Sequence, residues 1–155
     1  MSGISPTPAI GDRREYVTEP TLFGTHHISL NVHDPERSEQ WYTQVLNFSR
    51  LGAYSGEGFH RIIMHHPSGI VLGLSRHEHP EADVPFSERR TGLDHLAFQV
   101  AGREQLEAWI ARFDAHGVDH SEMKAAAIPG TFLVAFRDPD GIQLELFAPA
   151  QANSG

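Results

Sequence analysis

The 155-residue sequence contains no cysteine, a single lysine (Lys124) among 12 cationic side chains, and no apolar run near the roughly 20 residues that a bilayer span requires. The first absence excludes disulfides and thiolate metal sites. With 20 acidic residues and a formal charge of -8, the chain repels phosphate backbones, which excludes nucleic acid as a partner. Residues 1–11 lack the basic start and apolar stretch of a secretory signal, so the expected location is cytoplasmic, with no membrane association. A hydrophobic fraction of 39% is ordinary for a globular chain. Histidine is plentiful, at 11 residues.

Residues 1–20 combine Pro, Gly, Ser and charge without periodicity and read as a flexible extension, and 149–155 read as a tail. Between them, 77–92 carries two prolines, several acids and Arg89-Arg90, and supports neither helix nor strand. It reads as a linker or a lid between modules at 21–76 and 93–148.

Those modules repeat one another. His27-Ile-Ser-Leu-Asn-Val32 matches His95-Leu-Ala-Phe-Gln-Val100 at a spacing of 68 residues, and Trp41 matches Trp109 at the same spacing. Further on, Pro67-Ser-Gly69-Ile matches Pro139-Asp-Gly141-Ile at a spacing of 72. Each copy opens with an alternating strand and continues with an amphipathic helix, capped by Asp34-Pro35 in the first copy and ended by Gly117 in the second. The two tryptophans fall on the helical core stripes. Expected strands follow at 48–54, 59–65 and 70–74, then at 131–137 and 142–147, with a weak one at 118–124. The fold class is α+β, with strand, helix and three strands written twice.

Strand parity turns the repeat into chemistry. His27 and His95 lie opposite the Ile28/Leu30/Val32 and Leu96/Phe98/Val100 rows that cover the helices, and Glu145 lies opposite the Ile142/Leu144/Leu146 row. Two imidazoles and a carboxylate sharing one face make a three-ligand set for a divalent transition metal, with coordination positions left for substrate. His26 competes with His27 but sits on the core parity and has Asp94 as its counterpart.

The His-x-x-x-x-Val strands, the Asp34-Pro-Glu-Arg-Ser-Glu-Gln-Trp-Tyr helix start, Gly92-Leu-Asp-His-Leu-Ala-Phe98 and Asp138-Pro-Asp-Gly-Ile-Gln-Leu-Glu145 resemble the vicinal oxygen chelate superfamily over residues 22–148. That group holds glyoxalase I, bleomycin-resistance proteins, fosfomycin-resistance transferases and extradiol dioxygenases. The resemblance implies two βαβββ modules in pseudo-two-fold repeat, curling into a cup-shaped mixed sheet with helices outside and with His27, His95 and Glu145 at the metal positions. The metal would be Fe, Mn, Zn, Ni or Co. At the 72-residue spacing Glu145 answers to Gly73, so the first-module glutamate of glyoxalase I has no counterpart, and a wider pocket is expected there. The Tyr that extradiol dioxygenases carry before the Asp-Pro ending is replaced by Ala135.

His60 and His65, on the third strand, and Tyr54 are the candidate catalytic groups, an imidazole being a suitable base near neutral pH. His77, His79 and Glu81 read as a solvated loop that gates the cup. Two functions are carried forward. One is a divalent-metal-dependent enzyme acting on a small oxygenated substrate by Lewis-acid activation. The other is a metal-free binding protein of the bleomycin-resistance type. Open sheet edges on each module lead to the expectation of a homodimer.

Overall fold

In the computed structural model, which describes residues 20–150, the first alternating run becomes β1 (Ile28–Asn31), with Leu30 buried and Ser29 and Asn31 exposed. Helix α1 (Pro35–Leu46) starts where the Asp34 carboxylate accepts the Glu36 and Arg37 amides and Pro35 enters the first turn. Asn47, at φ 63°, stops it in the left-handed conformation. Strands β2 (Ser49–Gly56), β3 (Phe59–His65) and β4 (Val71–His77) complete the module in the order β1-β4-β3-β2, with β1 parallel to β4.

The second module repeats this with β5 (Leu96–Gln99), α2 (Arg103–His116), β6 (Lys124–Ala125), β7 (Phe132–Arg137) and β8 (Gln143–Ala148), in the order β5-β8-β7-β6. Gly117 ends α2 at φ 64°, as expected. Of the weak strand at 118–124 only Lys124 pairs regularly, in a two-residue β6 with Ala125, and His120 adds one isolated bridge to Phe136, because the polar Asp119-His-Ser-Glu122 run disfavours a strand. Register preserves the repeat, since Ser29 pairs with Gly73 and Ala97 with Glu145. The fold is therefore α+β, two βαβββ modules. Within one chain its strands form two separate four-stranded sheets.

Even-numbered residues of β1, β3, β4, β5, β7 and β8 face the helices. Leu30, Ile62, Met64, Leu72 and Leu74 from one sheet and Val134, Phe136, Leu144 and Leu146 from the other join Tyr42 and Phe113 in one buried cluster. Trp41 stacks on Phe136 with ring centres 6.3 Å apart, so α1 packs on the second module as well as its own. Aromatic pairs of this kind add about 1 kcal/mol beyond the area they bury.

Polar contacts fix the same junction. The buried Tyr42 hydroxyl donates to Asp138 Oδ2 at 3.1 Å, His33 Nδ1 lies 2.6 Å from Asp140 Oδ1, and Arg37 donates to the Pro139 carbonyl at 3.3 Å. From α2, Arg112 donates at 2.7 Å to the Gln44 and Val45 carbonyls, which satisfies groups left free at the end of α1. Asp138 also accepts the Asp140 and Ile142 amides, each at 2.9 Å. Burial nonetheless dominates and pushes its carboxyl up to about 6.

The 77–92 stretch departs from expectation. Its start belongs to β4, and Pro80–Asp83 form a 3₁₀ turn whose Glu81 amide is capped by the His79 ring. Arg76 pins the turn through the Ala82 carbonyl and Asp83.

Candidate active site

The odd-numbered residues of β1, β3, β4, β5, β7 and β8 face away from the helices, joined past the bulge between Arg50 and Gly52 by the even-numbered residues of β2, and this face carries the candidate chemistry. His95 directly precedes β5. Its Nδ1 donates to Asp94 Oδ1 at 2.6 Å, and its Nε2 lies 3.6 Å from Glu145 Oε2. A carboxylate on one ring nitrogen fixes the tautomer and aims the other nitrogen, the arrangement that prepares an imidazole for a metal. The Asp94 hydrogen bond raises the His95 pKa, partial burial opposes it, and the Glu145 charge adds to the rise. Glu145 is largely covered, with 17% of its side chain exposed, and pairs with no arginine or lysine among the described residues.

His27 sits at the equivalent place before β1, exposed, with its ring edge-on to His26 and the two Nδ1 atoms 2.8 Å apart. Among the described residues of one chain, no three His, Asp or Glu side chains converge as a metal set. The structure thus brings His95 and Glu145 together and leaves His27 away from them.

The three candidate catalytic groups separate by parity. His60 shares the side of Ile62 and Met64 and turns towards α1, where its Nε2 meets Glu36 Oε1 at 3.0 Å and its Nδ1 meets Ser55 at 2.9 Å. It is therefore removed from the candidate site. His65 and Tyr54 are on the open face, opposite Val71 and Arg61 in the register.

Arg61 was inconspicuous in the sequence. Half-buried on that face, it donates from Nε to Ser75 and from Nη1 to the Tyr54 hydroxyl, both at 2.7 Å. Its guanidinium carbon lies 5.6 and 5.5 Å from the ring centres of Tyr54 and Phe59. The signal that finds it is the odd parity it shares with His65. The wider pocket expected at Gly73 is not there: a Cβ at that position would run into the Ser29 hydroxyl and stand 3.3 Å from Arg61 Cδ. Nor do His77, His79 and Glu81 form a ligand cluster, since His77 stacks on Phe59 and His79 caps the 3₁₀ turn. The linker does wall a cleft of about 980 Å³ that also takes in Ser29, Asn31 and His77.

The arrangement has close counterparts. Residues 24–146 match the Glyoxalase/Bleomycin resistance protein/Dioxygenase superfamily. The chain belongs to that superfamily. A solved relative, a glyoxylase/bleomycin resistance protein/dioxygenase domain from Frankia sp. EAN1pec, is 30% identical, with a TM-score of 0.77 over 86% of this chain and 96% of its own. Catechol-2,3-dioxygenase of Bacillus subtilis is 28% identical over 130 residues, a match taking in 79% of this chain and 40% of the dioxygenase. FosX of Listeria monocytogenes, a fosfomycin resistance protein solved with Mn(II) and sulfate, shares the fold at 22% identity with a TM-score of 0.60, over 84% of this chain and 95% of its own. A dioxygenase is thus among the relatives of this chain, and a protein solved with Mn(II) shares its fold. No helix among the described residues is long and apolar enough to cross a membrane.

Proposed function

We propose that this superfamily member is a divalent-metal-dependent enzyme acting on a small oxygenated substrate, with each metal site shared by two copies of the chain. His27 comes from one copy, and His95 and Glu145 come from the other. The carrying observation is the aimed pair, His95 Nε2 and Glu145 Oε2 at 3.6 Å, beside a His27 that its own chain leaves apart. Two neutral imidazoles and one carboxylate fit Fe, Mn, Zn, Ni or Co. Bound there, the ion supplies a Lewis acid that polarises a chelated substrate oxygen. Asp94 holds the His95 ring in place. His65, on the same face as His27, is the imidazole positioned to move a proton, and the Tyr54 hydroxyl is fixed by Arg61.

Surface left uncovered among the described residues, at the sheet edge far from His27 and in the segment that leads into it, supports the second copy. Strand β2 is a sheet edge exposed at seven of its eight positions, and Leu22 and Phe23 are 96% and 104% exposed. Sheet edges and apolar side chains of this kind are covered by association.

Complementation tests the reading. His27→Ala and Glu145→Ala should each abolish metal binding in a homodimer of twice the 17.2 kDa chain mass. Unfolded together and refolded, they should regain roughly a quarter of the wild-type metal, because half the dimers are mixed and each mixed dimer has one intact site. A mixture that stays empty would overturn the shared site. A wild type that takes up no divalent ion would favour the metal-free binding protein.

A further inference from the structure

We propose that Arg61 sets the substrate class of this site by holding an oxyanion, a carboxylate or phosphonate, carried by the substrate. The inference rests on the two-copy cup only for what stands opposite Arg61, because the guanidinium is placed by the first module alone.

Among the described residues, Arg61 differs in what it touches from the other arginines whose side chains form hydrogen bonds or ion pairs. Arg50, Arg76, Arg103 and Arg137 each meet a carboxylate, and Arg37, Arg90 and Arg112 donate to backbone carbonyls. Arg61 is half-buried yet meets only two neutral hydroxyls and two aromatic faces, with no acidic partner among the described residues. Ser75 and Tyr54 occupy two of the five N–H donors, which leaves three for a ligand. They also hold the planar fork in one orientation, so little freedom is lost when an oxyanion docks on it. Partial removal of a cation from water without a counter-charge is unfavourable, and an anionic ligand reverses that cost. The side chain lies beside Gly73, the repeat counterpart of the ligand Glu145.

The second module shows that the repeat does not require this cation. In the register, Arg61 pairs with Ser75, and the corresponding pair is Leu133 with Phe147, while Ser29 corresponds to Ala97. At these matching positions one wall of the cup is hydroxylic and cationic, and the other is apolar beside His95 and Glu145. The matching substrate has a charged end and an apolar end, with the vicinal oxygens between them.

The test uses Mn(II) and three small probes, glycolate, methylphosphonate and neutral ethylene glycol, titrated calorimetrically into wild type, Arg61→Gln and Arg61→Lys. Arg61→Gln should weaken glycolate and methylphosphonate by about tenfold and leave ethylene glycol and Mn(II) stoichiometry unchanged, with Arg61→Lys in between. Whichever anion loses more identifies the planar or tetrahedral source. In wild type, either anion should protect Arg61 from phenylglyoxal, read by mass spectrometry, and ethylene glycol should not. Unaltered anion binding in Arg61→Gln, or no protection, would overturn the proposal. If wild type takes up no Mn(II), the metal centre is wrong, and anion binding and protection in the metal-free protein still decide the role of Arg61.

Discussion

In the second module the turn between β7 and β8 buries an aspartate, Asp138, and at the matching position of the first module stands His66, 72 residues earlier. The two turns share a backbone path and differ in reach. His66 closes on its own turn, through the Ser68 amide at 3.1 Å and the Ser68 hydroxyl at 2.7 Å, and packs against Phe48. Asp138 spans the molecule to the Tyr42 hydroxyl. A repeated unit therefore folds with either residue, and the aspartate is what makes the second turn the joint between modules. The same asymmetry runs through the open faces, where the second module brings His95 and Glu145 together and the first carries His27 and Arg61.

The largest predicted effect breaks that joint. Asp138→Ala leaves the buried Tyr42 hydroxyl and two backbone amides without their acceptor, at a cost of about 3 kcal/mol. For a domain of this size that lowers the melting temperature by roughly 6–12 °C. His66→Ala, which disturbs one local turn, should cost under about 1 kcal/mol. Equal losses in calorimetry would show that the two turns do the same work.

Next comes a pH dependence. Burial raises the Asp138 carboxyl from 3.8 to about 6, so the folded state favours the protonated form. The resulting stabilisation is complete below about pH 3.8 and is lost as pH rises through about 6, a difference of about 3 kcal/mol. Asp138→Asn stays neutral throughout. Urea unfolding at intervals from pH 4 to pH 7 should show wild type losing stability relative to this variant, and parallel curves would refute the assignment. His66 has the opposite sign: burial, then the neighbouring His65, lower its pKa, so its contribution is lost as pH falls through its ordinary 6.5.

The smallest effect sharpens the contrast between Gly73 and Glu145. Gly73→Glu meets the Ser29 hydroxyl and should cost about 1–2 kcal/mol. Adding Ser29→Gly should recover most of it in the same melting assay. A double variant no more stable than Gly73→Glu would place the strain elsewhere.

Much of this was legible in the sequence because alternation and spacing are local. The alternation in 27–32 and 95–100 set the strand faces, Asp34 and Gly117 marked helix ends, and the spacings of 68 and 72 reappear as sheet register. The side of His60 was not legible, since Phe59-His-Arg-Ile-Ile-Met64 is apolar on both parities and only packing against α1 chooses between them. Arg61 stayed obscure because its hydroxyl partners arrive from β2 and β4, 7 and 14 residues away. The separation of His27 from Glu145 within one chain was equally hidden. A repeat states that two units are alike, and it is silent on which faces which.

The bond between Tyr42 and Asp138 also has a bearing on synthesis. Its two ends are 96 residues apart in the chain. At about 5–20 residues per second, the ribosome delivers the aspartate roughly 5–20 s after the tyrosine. During that interval the nascent first module presents Trp41 and the Tyr42 hydroxyl without their Phe136 and Asp138 partners. The junction therefore rests on contacts of high sequence separation, the kind that closes late in folding.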